Sequence, residues 1–219
     1  MKSDESALAF DRIAPWRTPL YVKKFAEALP QVNMLLDVGC GEAPYRRLFK
    51  SKVRNYITLD VQRYSNLNLV ADGCNLPIRD EIFDAVLCIQ VLEHVAEPRK
   101  ILEEIFRVLR PRGILGISAP QSYIIHMEPH DYYRYTKYGL RYLLEKAGLE
   151  ICEIEPQGGY FALIHMILLS NLWSKIRPRF LQFVLRGLSA TLATILDKLD
   201  KRKIETANYF VVCQKPSFV

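Results

Sequence analysis

The sequence alternates short apolar runs with longer amphipathic stretches, and this alternation constrains the fold more than any other feature. Five of the apolar runs are typical of buried parallel strands, because each is compact and closed by turn residues. Since parallel strands need crossover connections, the order predicts an α/β fold with right-handed crossovers. The predicted strands are Asn33–Val38, Tyr56–Asp60, Leu67–Ala71, Phe83–Ile89 and Gly113–Ala119.

Two amphipathic stretches predict helices. Pro98–Leu109 places its apolar residues at helical spacing, and Pro111 and Gly113 predict its end. Thr136–Ala147 is the second predicted helix, stopped by a glycine at the next position.

Two further strands are predicted near the end of the chain, at Leu149–Glu155 and Asn208–Gln214. The segment between them is too long for a hairpin loop, so it must have structure of its own. The sequence therefore predicts a single domain over residues 1–219, with a helical, basic and apolar insertion at residues 156–206.

The first predicted strand runs into the loop DVGCGEAP, which indicates a ligand site, because doubly wound sheets bind ligands at the carboxyl ends of their strands. Gly39 and Gly41 allow a sharp turn and a close approach of the backbone to a ligand. Pro44 replaces the third glycine of a dinucleotide fingerprint and suits the first turn of a following helix. Glu42 places negative charge where a pyrophosphate would lie. A phosphate-free ligand with a cationic amino group, such as S-adenosylmethionine, suits Asp37 and Glu42 better than NAD.

Polar residues at the ends of the next strands extend this site. Asp60 ends the second strand, where a carboxylate can accept both hydroxyls of a ribose, and Asp72 follows the third, within reach of an adenine amino group. Each acid has an alternative interpretation as a turn cap or a solvent-facing loop residue. The predicted cofactor-binding residues are Asp37, Gly39, Cys40, Gly41, Asp60, Asp72, Gly73, Ile89 and Gln90.

Residues 33–120 resemble the class I S-adenosylmethionine-dependent methyltransferases, close to the small bacterial members with an LDVGCG loop. The resemblance implies a Rossmann-like, seven-stranded, mostly parallel sheet with an antiparallel last strand, helices on both faces, and S-adenosylmethionine as cofactor. The sequence departs from the family at Ala43, often a third glycine, and at Arg112, usually glycine. The matching motifs are Asp37, Gly39 and Gly41, then Asp60, then Asp72-Gly73, then the run Phe83–Val95, then Arg107–Gly113.

The segment after the fifth strand holds the predicted substrate residues. Its PHDYYRYT stretch resembles that of methyltransferases found with bacterial surface-glycan and lipid-modification enzymes. His130 is predicted to take a proton from an oxygen acceptor, with Asp131 orienting it or acting as the base itself. Arg134, Tyr133 and His94 are the predicted substrate contacts, and no metal ligand is predicted. The alternatives are structural: a hydrogen-bonding histidine, an internal ion pair of the arginine, and packing tyrosines.

The stretch from Pro156 to Lys203, within the insertion, carries the whole net charge of +6, because eight bases face two acids there. Tyr160–Trp173 is apolar on nearly every face, and Phe180–Leu199 carries a leucine-rich stripe at helical spacing. Two interpretations stay open: helices that pack on each other, form a dimer face or cover the substrate, and an interfacial membrane element with its bases on anionic headgroups. Trp173 suits an interface anchor. Nucleic acid is disfavoured, because the segment is too apolar.

These features predict a methyltransferase acting on an oxygen of a hydrophobic, lipid-linked or glycan acceptor at the membrane surface. The alternatives are a catalytically silent cofactor-binding scaffold, which recruits partners or membrane through residues 160–203, and an NAD-dependent oxidoreductase. The polar N-terminus and unpaired cysteine pattern predict a cytoplasmic protein, either free or peripheral on the inner face of the membrane. A homodimer is left open.

Overall fold

The computed structural model describes residues 18–171 and 175–217, which form one seven-stranded sheet in the order β3-β2-β1-β4-β5-β7-β6. Strands β1 to β5 pair in parallel, and β7 runs antiparallel to both β5 and β6. This confirms the predicted Rossmann-like sheet with its antiparallel last strand. The strands are β1 (Val32–Val38), β2 (Val53–Asp60), β3 (Leu69–Val70), β4 (Phe83–Ile89), β5 (Leu109–Pro120), β6 (Glu150–Gln157) and β7 (Asn208–Gln214).

Helices cover both faces of the sheet, because successive strand residues point to opposite sides. Leu35 and Leu87 pack in the cluster that contains α1, whereas Leu36 and Val86 pack in the cluster that contains α2 and α3. The helices are α1 (Thr18–Ala28), α2 (Pro98–Val108), α3 (Lys137–Lys146), α4 (Tyr160–Asn171) and α5 (Arg179–Leu196).

Three local predictions differ from the structure. The helix expected after Pro44 is only a 3-10 turn over Arg46–Phe49. The expected third strand shortens to Leu69–Val70. Helix α2 ends at Val108 and β5 begins at once, with an irregularity in its pairing to β4 before Ile114. The strand therefore accommodates Arg112, which lies in the left-handed region with φ +65°, where the family usually has glycine.

Helix α4 is capped by two acids of the insertion, Asp197 and Asp200, which lie beyond the end of α5. Asp197 accepts hydrogen bonds from the backbone N–H of Gly159 at 2.6 Å and of Ala162 at 3.2 Å. Asp200 accepts one from Tyr160 N–H at 3.0 Å. Carboxylates satisfy the unpaired donors at a helix N-terminus and complement its dipole. Asp197 and Asp200 thus have a structural role at the start of α4.

Helix α5 exposes much of its leucine-rich stripe, while Val184, Leu185 and Leu196 of the stripe are half-buried. Its buried residues are Ala190 and Ala193, while Leu188 and Leu192 are 63% and 57% exposed. Among the residues described, α5 alone is long and apolar enough to cross a membrane, with 18 residues and a mean hydropathy of 1.2. No such helix was expected from the sequence. Trp173, the predicted anchor, lies outside the described residues.

Candidate functional site

The loop after β1 reaches the carboxyl edge of the sheet in a left-handed backbone conformation. Gly39 and Gly41 have φ of +66° and +53°, values that favour glycine. A Cβ on Gly39 would lie 2.4 Å from the Cγ2 atom of Val91, so this glycine lets the loops after β1 and β4 pack together. A Cβ on Gly41 would meet no atom within 4 Å. Gly41 therefore borders open space, where a ligand can approach the backbone.

Asp60, at the end of β2, fixes this loop. Its Oδ2 atom accepts the backbone N–H of Gly41 at 2.9 Å, and its Oδ1 atom accepts that of Gln62, also at 2.9 Å. A carboxylate oxygen has two acceptor positions, so both oxygens can accept a further hydrogen bond. The structure thus places Asp60 and Gly41 together, and the carboxylate keeps capacity for ligand hydroxyls.

Asp37 lies beneath the loop, only 2% exposed. The hydroxyl of Tyr56 donates to its Oδ2 atom at 2.6 Å. Burial raises the pKa of Asp37 to about 7, and the charge of Asp60 acts in the same direction. Burial likewise raises the pKa of the neighbouring Cys40 thiol to about 12, so Cys40 offers backbone rather than thiolate chemistry. Two neighbouring acids suit a cationic ligand and oppose a phosphate, which agrees with the cofactor predicted from the loop.

The remaining predicted cofactor residues lie on the loops after β3 and β4. Asp72 holds its own turn, because its Oδ1 atom accepts the N–H of Cys74 at 2.9 Å. A Cβ on Gly73 would lie 2.7 Å from Ile101 on α2, so this glycine permits close packing. Gln90 joins the ends of two strands, since its Nε2 donates to Ser118 Oγ at 2.9 Å. Ile89, which precedes it, is half-buried. Contact of these residues with a cofactor stays a prediction.

Ala43 provides a test of backbone strain in the first loop. It occupies the left-handed region with φ +53°, where a side chain costs about 1–2 kcal/mol relative to glycine. We expect Ala43→Gly to raise the free energy of unfolding by roughly 0.5–1 kcal/mol, since glycine's greater freedom in the unfolded chain offsets part of the gain. Urea unfolding measures this difference. Ala71→Gly, at a position without positive φ, is the control and should not stabilise; equal effects of the two changes would contradict the interpretation.

The loop after β5, residues 121–136, folds onto the loop after β4, residues 90–96. Tyr132 N–H donates to the carbonyl of Glu93 at 2.8 Å, and the Tyr135 hydroxyl donates to the carbonyl of Leu92 at 2.9 Å. The Tyr133 hydroxyl donates to the carbonyl of Ala96 at 2.9 Å. The β5 loop is therefore anchored beside the first loop, because Val91 of the β4 loop packs on Gly39.

Asp131 and Arg134 form an internal ion pair. Arg134 donates from Nη1 to Asp131 Oδ1 at 2.6 Å and from Nη2 to Oδ2 at 2.8 Å. These bonds hold the pKa of Asp131 well below its usual range. Asp131 was expected to orient His130, but in the structure its carboxylate binds Arg134 and the backbone N–H of His126 instead. The exposed His130 instead has its Nδ1 atom 2.9 Å from the Tyr132 hydroxyl. The catalytic roles of His130 and Asp131 stay predictions.

Glu93 and His126 belong to this region and were not predicted. The Glu93 side chain is fully buried, and burial raises its pKa to about 8. The ring of His126 lies 4.7 Å from that of His94, centroid to centroid, and its Nδ1 atom is 3.4 Å from Asp131 Oδ2. Glu93 lies inside the motif Phe83–Val95, so the sequence offered a reason to consider it. No spacing in the sequence distinguishes His126, because the fold alone brings it to His94.

Comparisons with known proteins agree with this geometry. Residues 36–117 match the family described as a methyltransferase domain. A tRNA (carboxymethyluridine(34)-5-O)-methyltransferase of Arabidopsis thaliana is 35% identical over 118 residues, covering 49% of this chain and 28% of that protein. A probable S-adenosylmethionine-dependent methyltransferase of Mycolicibacterium smegmatis is 29% identical over 133 residues, covering 53% and 52%. The chain thus spans about half, or less, of the length of these relatives.

Solved structures share the fold. A putative methyltransferase from Bacillus halodurans superposes with a TM-score of 0.61 at 15% identity, covering 91% of this chain and 99% of that chain. The phosphoethanolamine N-methyltransferase 2 of Haemonchus contortus, in complex with S-adenosyl-L-methionine, superposes with a TM-score of 0.62 at 18% identity, covering 98% and 57%. At these identities the likeness establishes the architecture.

Proposed function

We propose that this chain is a class I S-adenosylmethionine-dependent methyltransferase and that it methylates an oxygen atom of a hydrophobic, lipid-linked acceptor at a membrane surface. The cofactor of this class supplies an activated methyl group carried by a sulfonium. The observation that carries the acceptor proposal is the exposed leucine-rich stripe of α5, because a large exposed apolar face marks a site of contact with a membrane or another protein.

The residues of the first loop fit the cofactor. Gly41 leaves its backbone open to a ligand, and Asp60 retains acceptor positions for the hydroxyls of a ribose. Asp37 and Asp60 favour the positive charge of the cofactor over the phosphates of a dinucleotide. These residues hold and orient the cofactor, and orientation is the main requirement of an in-line methyl transfer.

An oxygen acceptor must lose a proton as the new bond forms. We assign this task to His130, which is exposed on the β5 loop and has one ring nitrogen beside the Tyr132 hydroxyl. Histidine side chains exchange protons near neutral pH, as a general base requires. Asp131 has a positioning role, because it binds Arg134. Arg134 in turn holds the β5 loop by donating to the carbonyl groups of Tyr123 and Ile124.

The insertion and the β5 loop form adjoining apolar surfaces. Tyr123 of the β5 loop packs against Ala162 and Met166 of α4. The two residues that follow it, Ile124 and Ile125, are 43% and 72% exposed. Apolar side chains are therefore exposed both on the insertion and on the loop that borders the site. This arrangement supports an acceptor whose apolar part remains in a bilayer while its polar group reaches the site.

The charge of the insertion supports an anionic surface as the partner. Asp197 and Asp200 accept backbone N–H groups at the start of α4, and the eight bases between Pro156 and Lys203 still outnumber these two acids. Bases near an anionic bilayer contribute about 1 kcal/mol each. Arg186, near the middle of α5, favours a helix lying in the interface over one that crosses it. The exposed bases of the insertion are Lys175, Arg177, Arg179, Lys198, Lys201 and Arg202.

Transfer of labelled methyl groups tests the proposed function. The purified chain is incubated with isotope-labelled S-adenosylmethionine and, in parallel, with a lipid extract, a water-soluble glycan extract and bulk tRNA. We expect label in the lipid fraction, as a product heavier by one methyl group in mass spectrometry. His130→Gln should reduce the rate roughly 100-fold or more, as expected for loss of a general base. Tyr138→Gln, on the exposed surface of α3, is the matched control and should not.

Other outcomes would replace the proposal. Label in tRNA alone would assign this chain the acceptor class named for its Arabidopsis relative. Binding of the cofactor product, S-adenosylhomocysteine, without methyl transfer to any fraction would favour the silent scaffold that recruits partners or membrane through residues 160–203.

A further inference from the structure

Three side chains with metal-binding atoms meet beside the predicted cofactor site. Glu93 and His94 lie in the 3-10 turn that follows β4, and His126 lies in the β5 loop. One ligand atom from each of the three lies within 4.8 Å of the others. These residues approach one another because the β5 loop folds onto the β4 loop, so the cluster depends on the fold rather than on sequence spacing.

Glu93 is the unexplained member of the cluster. Its side chain is fully buried, and neither carboxylate oxygen has a hydrogen-bond partner among the described residues. The nearby cation Arg134 already binds Asp131 through two nitrogens. A buried carboxylate without a partner is costly, and native proteins retain such groups where they have a function or bind an ion. A cation between Glu93 and the two histidines would supply the missing partner.

The Nδ1 contacts of the two imidazoles match those of metal-bound histidines. The Nδ1 atom of His94 lies 2.5 Å from the carbonyl oxygen of His130, which can only accept, so Nδ1 carries the proton. The Nδ1 atom of His126 likewise faces the carbonyl oxygen of Ile124 at 3.2 Å and a carboxylate oxygen of Asp131 at 3.4 Å. Both Nε2 atoms therefore carry lone pairs. A histidine held at one nitrogen by a carbonyl or carboxylate, with the other nitrogen on the metal, is the common second-shell pattern.

We propose that Glu93, His94 and His126 bind a divalent transition-metal ion of the zinc type. Two imidazoles and one carboxylate form a ligand set that catalytic zinc sites use, with a further position left for water or substrate. Ligand atoms about 2 Å from a tetrahedral ion lie roughly 3.3 Å apart, so closure from the present separation needs side-chain movements of about 1 Å. The sequence predicted no metal. This site goes beyond the proposed methyl transfer, and its test does not depend on that activity.

The test uses untagged protein, treated with a chelator and then titrated with Co²⁺ alone and with Zn²⁺ alone. We expect one equivalent of Co²⁺ to bind, with visible absorption and without the near-ultraviolet bands of a thiolate ligand. Zn²⁺ should compete with Co²⁺ and raise the unfolding temperature, because a ligand that binds only the folded state stabilises it. Glu93→Gln and His126→Gln should each weaken Co²⁺ binding at least 100-fold, since loss even of an outer-shell partner costs about 10–100-fold.

Two further measurements separate metal binding from a structural role. His130→Gln, a nearby exposed histidine outside the cluster, should bind Co²⁺ as the unaltered chain does. Metal-free Glu93→Gln should unfold at nearly the same temperature as the unaltered chain, because the amide has almost the same shape and no hydrogen bond of the Glu93 side chain is lost. Unchanged Co²⁺ affinity in both cluster variants, thiolate bands, or no binding at micromolar Co²⁺ would each overturn the proposal.

Discussion

Asp60→Ala should weaken the binding of S-adenosylhomocysteine by about 100-fold or more. The carboxylate fixes the first loop through the N–H groups of Gly41 and Gln62, and it is predicted to accept the ribose hydroxyls. A hydrogen bond to a charged group contributes about 1.5–3 kcal/mol, and each 1.4 kcal/mol changes affinity tenfold. Two lost ligand hydrogen bonds therefore correspond to at least two orders of magnitude. Calorimetric titration measures the effect, with circular dichroism to establish that the variant folds.

Glu42→Gln is the matched control for charge alone. Glu42 is an exposed acid in the same loop, so this variant removes one negative charge without removing the hydrogen bonds that Asp60 makes. An exposed charge contributes about 0–1 kcal/mol, so affinity should change by less than about fivefold. If Asp60→Ala bound the ligand within threefold of the unaltered chain, the cofactor site would have to lie elsewhere.

The double variant Leu188→Gln, Leu192→Gln should bind vesicles of anionic lipid about 100-fold more weakly than the unaltered chain. The two leucines lie one helical turn apart on α5 and project outward, so a bilayer would bury them. Burial of a leucine side chain contributes about 1.5–3 kcal/mol, less what is already lost to partial burial in the fold. Because both residues are exposed, the unfolding temperature should stay almost unchanged. Vesicle flotation measures the binding.

The control for this variant is Tyr138→Gln with Tyr142→Gln, an exposed apolar pair at the same spacing on α3. It removes a similar apolar surface from another helix and should leave vesicle binding as it is. If the leucine variant still bound vesicles but changed from dimer to monomer in sedimentation, the stripe would be a contact between two copies of the chain, and the membrane proposal would fail.

The sheet could be predicted because its strands are buried on both sides. Phe83–Ile89 and Asn208–Gln214 have the predicted bounds, since a mostly apolar run of seven residues between turn residues has few other structures available. Strand β3 is shorter than predicted, at Leu69–Val70, because it lies at the edge of the sheet, where less of its apolar surface can be buried. The helix expected after Pro44 is only a 3-10 turn, because a proline suited to a first turn does not by itself stabilise a helix.

The structure brings the predicted residues of the first loop together, whereas in the β5 loop it shows the internal ion pair that the sequence had left open as an alternative. Gly39, Gly41 and Asp60 follow their strands directly, so their positions follow from the parallel sheet. The pairing of Asp131 with Arg134, by contrast, depends on the path of an irregular loop, which a spacing of three positions in the sequence does not reveal. The hydrophobic spacing predicted the stripe of α5 but not the direction in which it faces. The side of α5 that is buried carries the small residues Ala190 and Ala193 instead.

The position of Asp197 and Asp200 makes α4 and α5 a cooperative unit. The donors at the start of α4 are satisfied only after the chain has passed through α5 and returned. Neither helix is then stable independently of the other. A chain that ended just before Asp197 would lose the caps of α4, and the first turn of α4 would fray although every residue of α4 is still present.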